Sequence, residues 1–133
     1  MMTKEEYKNL AVKAARLGDS KKAENIRILD LQGKSTLTDF VVLMTVESAP
    51  QMEAVADEIA VELKKDGIML SHRDGVGSRT WRVLDYGGVI IHVFEVETAA
   101  QYSVDKIYED PLDIDWEKPV KRQTKKSAGA KKN

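Results

Sequence analysis

The longest apolar stretch of the chain runs from Thr80 to Phe94 (TWRVLDYGGVIIHVF) and is broken near its middle by Gly87-Gly88. Strand-length segments rich in Val, Ile and aromatic residues on either side of two glycines predict a β-hairpin. The tight turns that match strand twist need positive φ, which glycine adopts without steric cost. With Gly87 and Gly88 as the loop, Trp81 faces Phe94 and Tyr86 faces Val89. Alternation then places Arg82, Leu84, Tyr86, Val89, Ile91 and Val93 on one face, and Trp81, Val83, Asp85, Ile90, His92 and Phe94 on the other. Both faces are apolar. Either both are covered within the monomer, or one is offered to a partner.

The rest of the pattern predicts α/β architecture. Thr3-Lys4-Glu5-Glu6 has the form of a capping box. Tyr7, Leu10, Ala11, Ala14 and Leu17 come after it at helical spacing, with Gly18 as the stop. Ile26–Leu31 reads as a strand, and Asp39–Val46 as an almost wholly apolar strand, the mark of burial on both faces in mid-sheet. Ser48-Ala49-Pro50-Gln51 predicts a second capping box, opening a helix whose buried stripe is Met52, Val55, Ala56, Ile59, Ala60 and Leu63 and which ends at Asp66-Gly67. Ile68–His72 reads as a short strand and Arg73–Arg79 as a loop. Thr98-Ala99-Ala100-Gln101 predicts the start of a third helix with Val104, Ile107 and Tyr108 inward, stopped by Asp110-Pro111. Leu112–Trp116 reads as an irregular segment docked through Leu112, Ile114 and Trp116. The expected order is α-β-β-α-β-β-β-α, a mixed β-sheet with flanking helices.

Composition narrows the chemistry. The 133 residues predict one domain over 1–116, followed by a tail over 117–133. The net charge of −1 divides unevenly: the tail holds seven basic residues and one acid, so it carries +6 and the body −7. A tail of this kind is expected to be disordered. Lys121, Arg122, Lys125 and Lys126 are its candidates for unspecific, salt-sensitive RNA contact, since no aromatic residue is there to stack on bases. The absence of cysteine excludes disulfides, thiol catalysis and cysteine–zinc sites. No run of about 18 apolar residues and no apolar signal core occur, so a cytoplasmic protein without membrane contact is expected.

Candidate catalytic elements fail on spacing. Gly33-Lys34-Ser35-Thr36 looks like the end of a P-loop, but position 28 is Ile where the motif needs glycine, and the segment leads into a strand. Strand, loop and Asp39 also echo a nucleotidyltransferase element, which holds its metals with clustered carboxylates. Position 41 is Val, so Asp39 stands alone as a polar cap on a buried strand. No metal or cofactor is expected. His92, mid-strand beside Val83, reads as a hydrogen-bonded structural residue. Trp81 and Tyr86 with the carboxylate of Asp85 have the composition of a protein-interface centre, or else pack under a helix.

The elements Gly33-Lys34-Ser35-Thr36-Leu37-Thr38-Asp39-Phe40, Gln51 with Ala56-Asp57, and Trp81-Arg82-Val83-Leu84-Asp85-Tyr86-Gly87 with His92-Val93-Phe94 occur in this order. Together they strongly resemble the ribosomal silencing factor, or Iojap-like, family, over residues 7 to 110. The resemblance implies a nucleotidyltransferase-like fold without the catalytic carboxylates, and a translation repressor rather than an enzyme. Such a protein binds the large ribosomal subunit at its protein fourteen and sterically prevents joining of the small subunit under nutrient limitation. It places the ribosomal-protein contact on Trp81, Asp85 and Tyr86, with Asp39 and Phe40 nearby. Self-association through the same apolar face, as a homodimer, is the further partner possibility. The alternative reading is a small nucleotide-binding enzyme with a metal at Asp39. It predicts saturable, magnesium-dependent nucleotide binding that is lost in Asp39→Asn, and calorimetric titration without heat disposes of it.

Overall fold

The computed structural model describes residues 2–102, 106, 108 and 111–117. Its elements are α1 (Lys4–Ser20), β1 (Glu24–Asp30), β2 (Phe40–Val46), α2 (Ala49–Lys65), β3 (His72–Asp74), β4 (Trp81–Asp85), β5 (Val89–Glu95), α3 (Val96–Tyr102) and β6 (Leu112–Ile114). The strands form one sheet in the order β3-β4-β5-β2-β1-β6. The β2–β5 pair is parallel and every other pair is antiparallel. The mixed α/β architecture is thus as the pattern predicts, with one strand more.

The all-apolar β2 occupies an inner position between β1 and β5, and all seven of its residues are buried. Its alternate side chains serve two layers. Phe40, Val42, Met44 and Val46 join Leu84, Tyr86, Val89, Ile91 and Val93 in the larger core, under Leu10, Ala11 and Ala14 of α1 and Met52, Val55, Ile59 and Leu63 of α2. On the opposite face Val41 and Leu43 join Leu29, Leu31 and Phe94 under a thinner cover, Ala99 of α3 and the partly buried Tyr108. Two long helices therefore lie on one side of the sheet and a seven-residue helix on the other.

The hairpin has the expected register: Trp81 pairs with Phe94, Val83 with His92 and Asp85 with Ile90. The Tyr86 N–H donates to the Val89 carbonyl at 2.8 Å, which leaves Gly87 and Gly88 as the loop. Of the two, only Gly87 has positive φ (88°). Gly88 is required for another reason, since a Cβ there would overlap the ring of Tyr7. The first helix thus sits directly on the hairpin turn.

Several expectations are corrected. Gly18 does not stop α1, which runs on to Ser20; it lies where a Cβ would strike the Met44 side chain, so it serves close packing of α1 on β2. Thr3 and Glu6 form the reciprocal capping box. The second box is only half made. Ser48 Oγ accepts from the Gln51 N–H, but Gln51 Oε1 accepts from the Glu47 N–H and Gln51 Nε2 donates to the Lys21 carbonyl, tying α2 to the end of α1. The strand expected at Ile68–His72 is displaced to His72–Asp74, because Ile68 and Leu70 are used as packing residues against the helix-side core. α3 begins at Val96, directly after β5, and Thr98 is not its cap: its N–H and hydroxyl both donate to the Glu95 carboxylate. The Val104 and Ile107 positions lie outside the described residues. The segment at Leu112–Trp116 is not irregular, for it supplies β6 along β1, and the Trp116 indole donates to the Ile26 carbonyl at 3.0 Å. Leu112 is exposed rather than docked. Both sheet edges, β3 and β6, are three residues long and carry charged side chains.

Gly88→Ala is expected to lower stability by about 1–3 kcal/mol, the cost of forcing a methyl into a filled site. Urea denaturation measures it, and the loss should shrink when Tyr7→Ala is combined with it.

Candidate functional site

The two hairpin faces have different fates. Arg82, Leu84, Tyr86, Val89, Ile91 and Val93 are all buried under α1 and α2. Arg82 is accommodated there by donating to Glu53 Oε1 of α2 at 2.9 Å and to the Gly75 carbonyl at 3.1 Å. That guanidinium, by hydrogen bond and then by charge, holds the Glu53 carboxyl below its usual range. Burial of an Arg is tolerated because its partners are in place.

The opposite face is only partly covered. Trp81 is 36% exposed although it lies on a strand, and Val83, Asp85 and Ile90 are half-buried. Beneath them the Trp81 ring packs on Phe94 with centroids 4.8 Å apart at 41°, and the His92 ring stacks on Phe94 at 5.6 Å and 8°. The indole Nε1–H donates to His92 Nδ1 at 3.1 Å. An indole nitrogen can only donate, so Nδ1 is unprotonated and Nε2 carries the proton, which it donates to the Tyr108 hydroxyl at 3.0 Å. His92 is 8% exposed, and burial lowers its pKa to about 4. It is the hydrogen-bonded structural histidine that its strand position predicts.

Next to this cluster an apolar hollow of about 300 Å³ is lined by Leu43, Thr45, Phe94, Val96 and Ala99, with Asn25 and Arg27 at its rim. Asn25, at positive φ (53°) in a β-bulge of β1, donates to Thr45 Oγ1 at 3.0 Å. Position 25 is hidden in the sequence because the bulge falls on the polar pair Glu24-Asn25 at the strand's start, where no apolar alternation exists to show the shift.

The sequence-predicted site residues divide between the two faces. Trp81 and Asp85 share the thinly covered one, four residues apart on β4, a separation of about 13 Å. One Asp85 oxygen accepts from the Gly87 N–H at 2.8 Å and so also fixes the turn. Asp39 is half-buried at the start of β2, its N–H donating to the Gly88 carbonyl, which brings it to the Asp85 end. Phe40 (1% exposed) and Tyr86 (4%) point to the helix side and are core residues, not surface contacts; alternation puts them on the face opposite Trp81. Burial raises the Tyr86 pKa, opposed by the charge of Arg73, and no described residue bonds its hydroxyl. Lys121, Arg122, Lys125 and Lys126 lie outside the described residues. Among the described residues no group of three or more His, Asp or Glu side chains is placed to hold a metal ion, and no helix is long and apolar enough to cross a membrane.

A family profile described as ribosomal silencing factor during starvation matches residues 4–133, so the match extends through the basic tail. The chain is 31% identical over 116 residues to "Ribosomal silencing factor RsfS" of Halalkalibacterium halodurans, covering 87% of this chain and 97% of that protein. It is 33% identical over 105 residues to the Bacillus subtilis protein of the same name, covering 77% and 89%. Among solved structures, a Bacillus halodurans protein superposes with a TM-score of 0.68 at 30% identity, over 83% of this chain and 99% of that one. A Chromobacterium violaceum protein superposes with a TM-score of 0.70 at 26% identity, over 89% and 98%.

The lowered His92 pKa has a pH consequence. The unfolded chain takes up this proton near pH 6.5 and the folded chain only near pH 4, so the contribution is full above pH 6.5 and is lost as pH falls toward 4. Between pH 7 and 5 the loss is of the order of 2 kcal/mol. Chemical denaturation at the two pH values should show this drop in the parent and a smaller one in His92→Leu.

Proposed function

The chain belongs to the ribosomal silencing factor family, and on that footing we propose that it is a translation repressor of the ribosome. In this reading it docks on the large ribosomal subunit through large-subunit ribosomal protein fourteen. Its bulk then prevents joining of the small subunit when nutrients are scarce. It performs no chemistry.

The observation that carries this reading is the asymmetry of the sheet. One face is sealed by two long helices, while the other offers a half-exposed tryptophan, backed by buried aromatic rings and followed along the same strand by a carboxylate. An aromatic anchor seated on a packed floor is what a binding hot spot requires. Asp85, with Asp39 near it, gives the far end of the strip negative character, and the body as a whole carries the acidic excess. Both favour a basic protein partner over a bare phosphate backbone. Phe40 and Tyr86 contribute from beneath, by holding the start of β2 and the turn. The tail, through Lys121, Arg122, Lys125 and Lys126, adds an unspecific contact to ribosomal RNA beside the docked body. Pairing of two free copies through the same face would compete with docking.

Trp81→Ala is expected to fold as the parent does and to weaken association with purified large subunits by about 2 kcal/mol or more, read by co-sedimentation. A folded variant that sediments as well as the parent sinks the docking surface. Removal of residues 117–133 should weaken association at low salt and matter less as salt rises. Equal affinity at low salt removes the RNA contact.

A further inference from the structure

We infer that Tyr108 and His92 are positioning residues for Trp81: the Tyr108 hydroxyl fixes the imidazole, and the imidazole Nδ1 fixes the indole in the orientation offered to the partner. The inference rests on the docking role of Trp81 given above and deepens it.

Three features carry it. First, the relay runs in one direction only. The indole has one donor and no acceptor, so Nδ1 must accept, Nε2 must carry the proton, and the hydroxyl must receive it. Second, the three groups come from separate parts of the chain, β4, β5 and Tyr108 beyond α3, so the orientation of Trp81 depends on a residue distant from it in sequence. Third, both imidazole nitrogens are committed, and the ring is wedged against Phe94. Across the sheet the row through His92 reads Asp74, Val83, His92, Leu43 and Arg27, so its direct strand neighbours are apolar. Among the described strand residues, the charged or titratable groups beyond them are Asp74 with His72 on β3, Asp85 on β4, and Arg27, which pairs with Asp113 of β6.

The arrangement also selects the partner's chemistry. The indole N–H is already bonded inward, so the outward face is ring surface rather than a donor in search of an acceptor. Ring surface takes an aliphatic side chain, or a Lys or Arg cation over its face. Since the indole is held before contact, docking does not have to freeze it, and affinity benefits from that preorganisation.

The test uses the full chain, ¹⁵N-labelled. Trp81 and Trp116 give two indole signals, assigned with Trp81→Phe. Trp116 donates to a backbone carbonyl and serves as the internal control. His92→Leu and Tyr108→Phe should shift the Trp81 signal and speed its exchange with solvent while the Trp116 signal stays put. In the parent the same change should appear only as pH falls to about 4, where Nδ1 gains a proton. Affinity for large subunits should fall roughly three- to tenfold in His92→Leu and Tyr108→Phe. It should recover in His92→Asn, which keeps an acceptor near the place of Nδ1. An unmoved Trp81 signal in folded His92→Leu overturns the inference, as does equal loss of affinity in the Asn and Leu variants. If the signals respond but subunit binding is indifferent to Trp81→Ala, the docking reading fails and the positioning role falls with it.

Discussion

The parallel pairing of β2 with β5 is the constraint on which the structure depends. A parallel neighbour cannot be reached by a tight turn, so the chain must leave the sheet after β2 and re-enter at the opposite end, at β3, before β4 and β5 bring it back beside β2. α2 is that excursion, and it lands on the face where α1 already lies. The N–H groups of Asp39 and Phe40 both donate to the Gly88 carbonyl, so the start of β2 is tied to the hairpin turn, and Tyr7 of α1 rests on the same glycine. One corner of the molecule thus joins the first helix, the central strand and the hairpin. The opposite face is left with a short helix and Tyr108, both supplied by the chain after β5.

That imbalance explains how Trp81 can be half-exposed without being loose. Packing on Phe94 immobilises the ring, and the bond to His92 satisfies its nitrogen. A neutral imidazole is needed for that bond, and burial among apolar strand neighbours keeps it neutral. The exposed indole and its support are thus made by one strand pair, β4 and β5, whose alternate residues build both the core and the thinly covered face.

Much of this was legible in the residues. The two-glycine break fixed the hairpin register and sorted its faces correctly, and the apolar run 39–46 gave an inner strand buried on both sides. Which face would be sealed was not legible, because both are apolar and helix placement depends on the crossover. Gly18 misled for a physical reason: glycine serves helix ends and close packing alike, and only the position of Met44 distinguishes them. β6 was missed because three residues carry too little alternation to register, and its pairing with β1 is a contact distant in sequence. At the site, alternation alone puts Trp81 and Asp85 on one face, whereas Tyr86 and Phe40 enter the set through the family resemblance and lie buried on the other face. Periodicity turns Tyr108 inward but does not name its partner, because the bond to His92 joins the chain beyond α3 to β5.

The brevity of the two outer strands has a consequence for handling and crowding. A sheet margin invites the backbone of a neighbouring molecule to add on, and long flat margins seed insoluble aggregates. Here each margin offers three residues, His72-Arg73-Asp74 on one side and Leu112-Asp113-Ile114 on the other, with charges that resist such stacking. The molecule can therefore keep an apolar surface open on its broad side while its flanks stay colloidally inert.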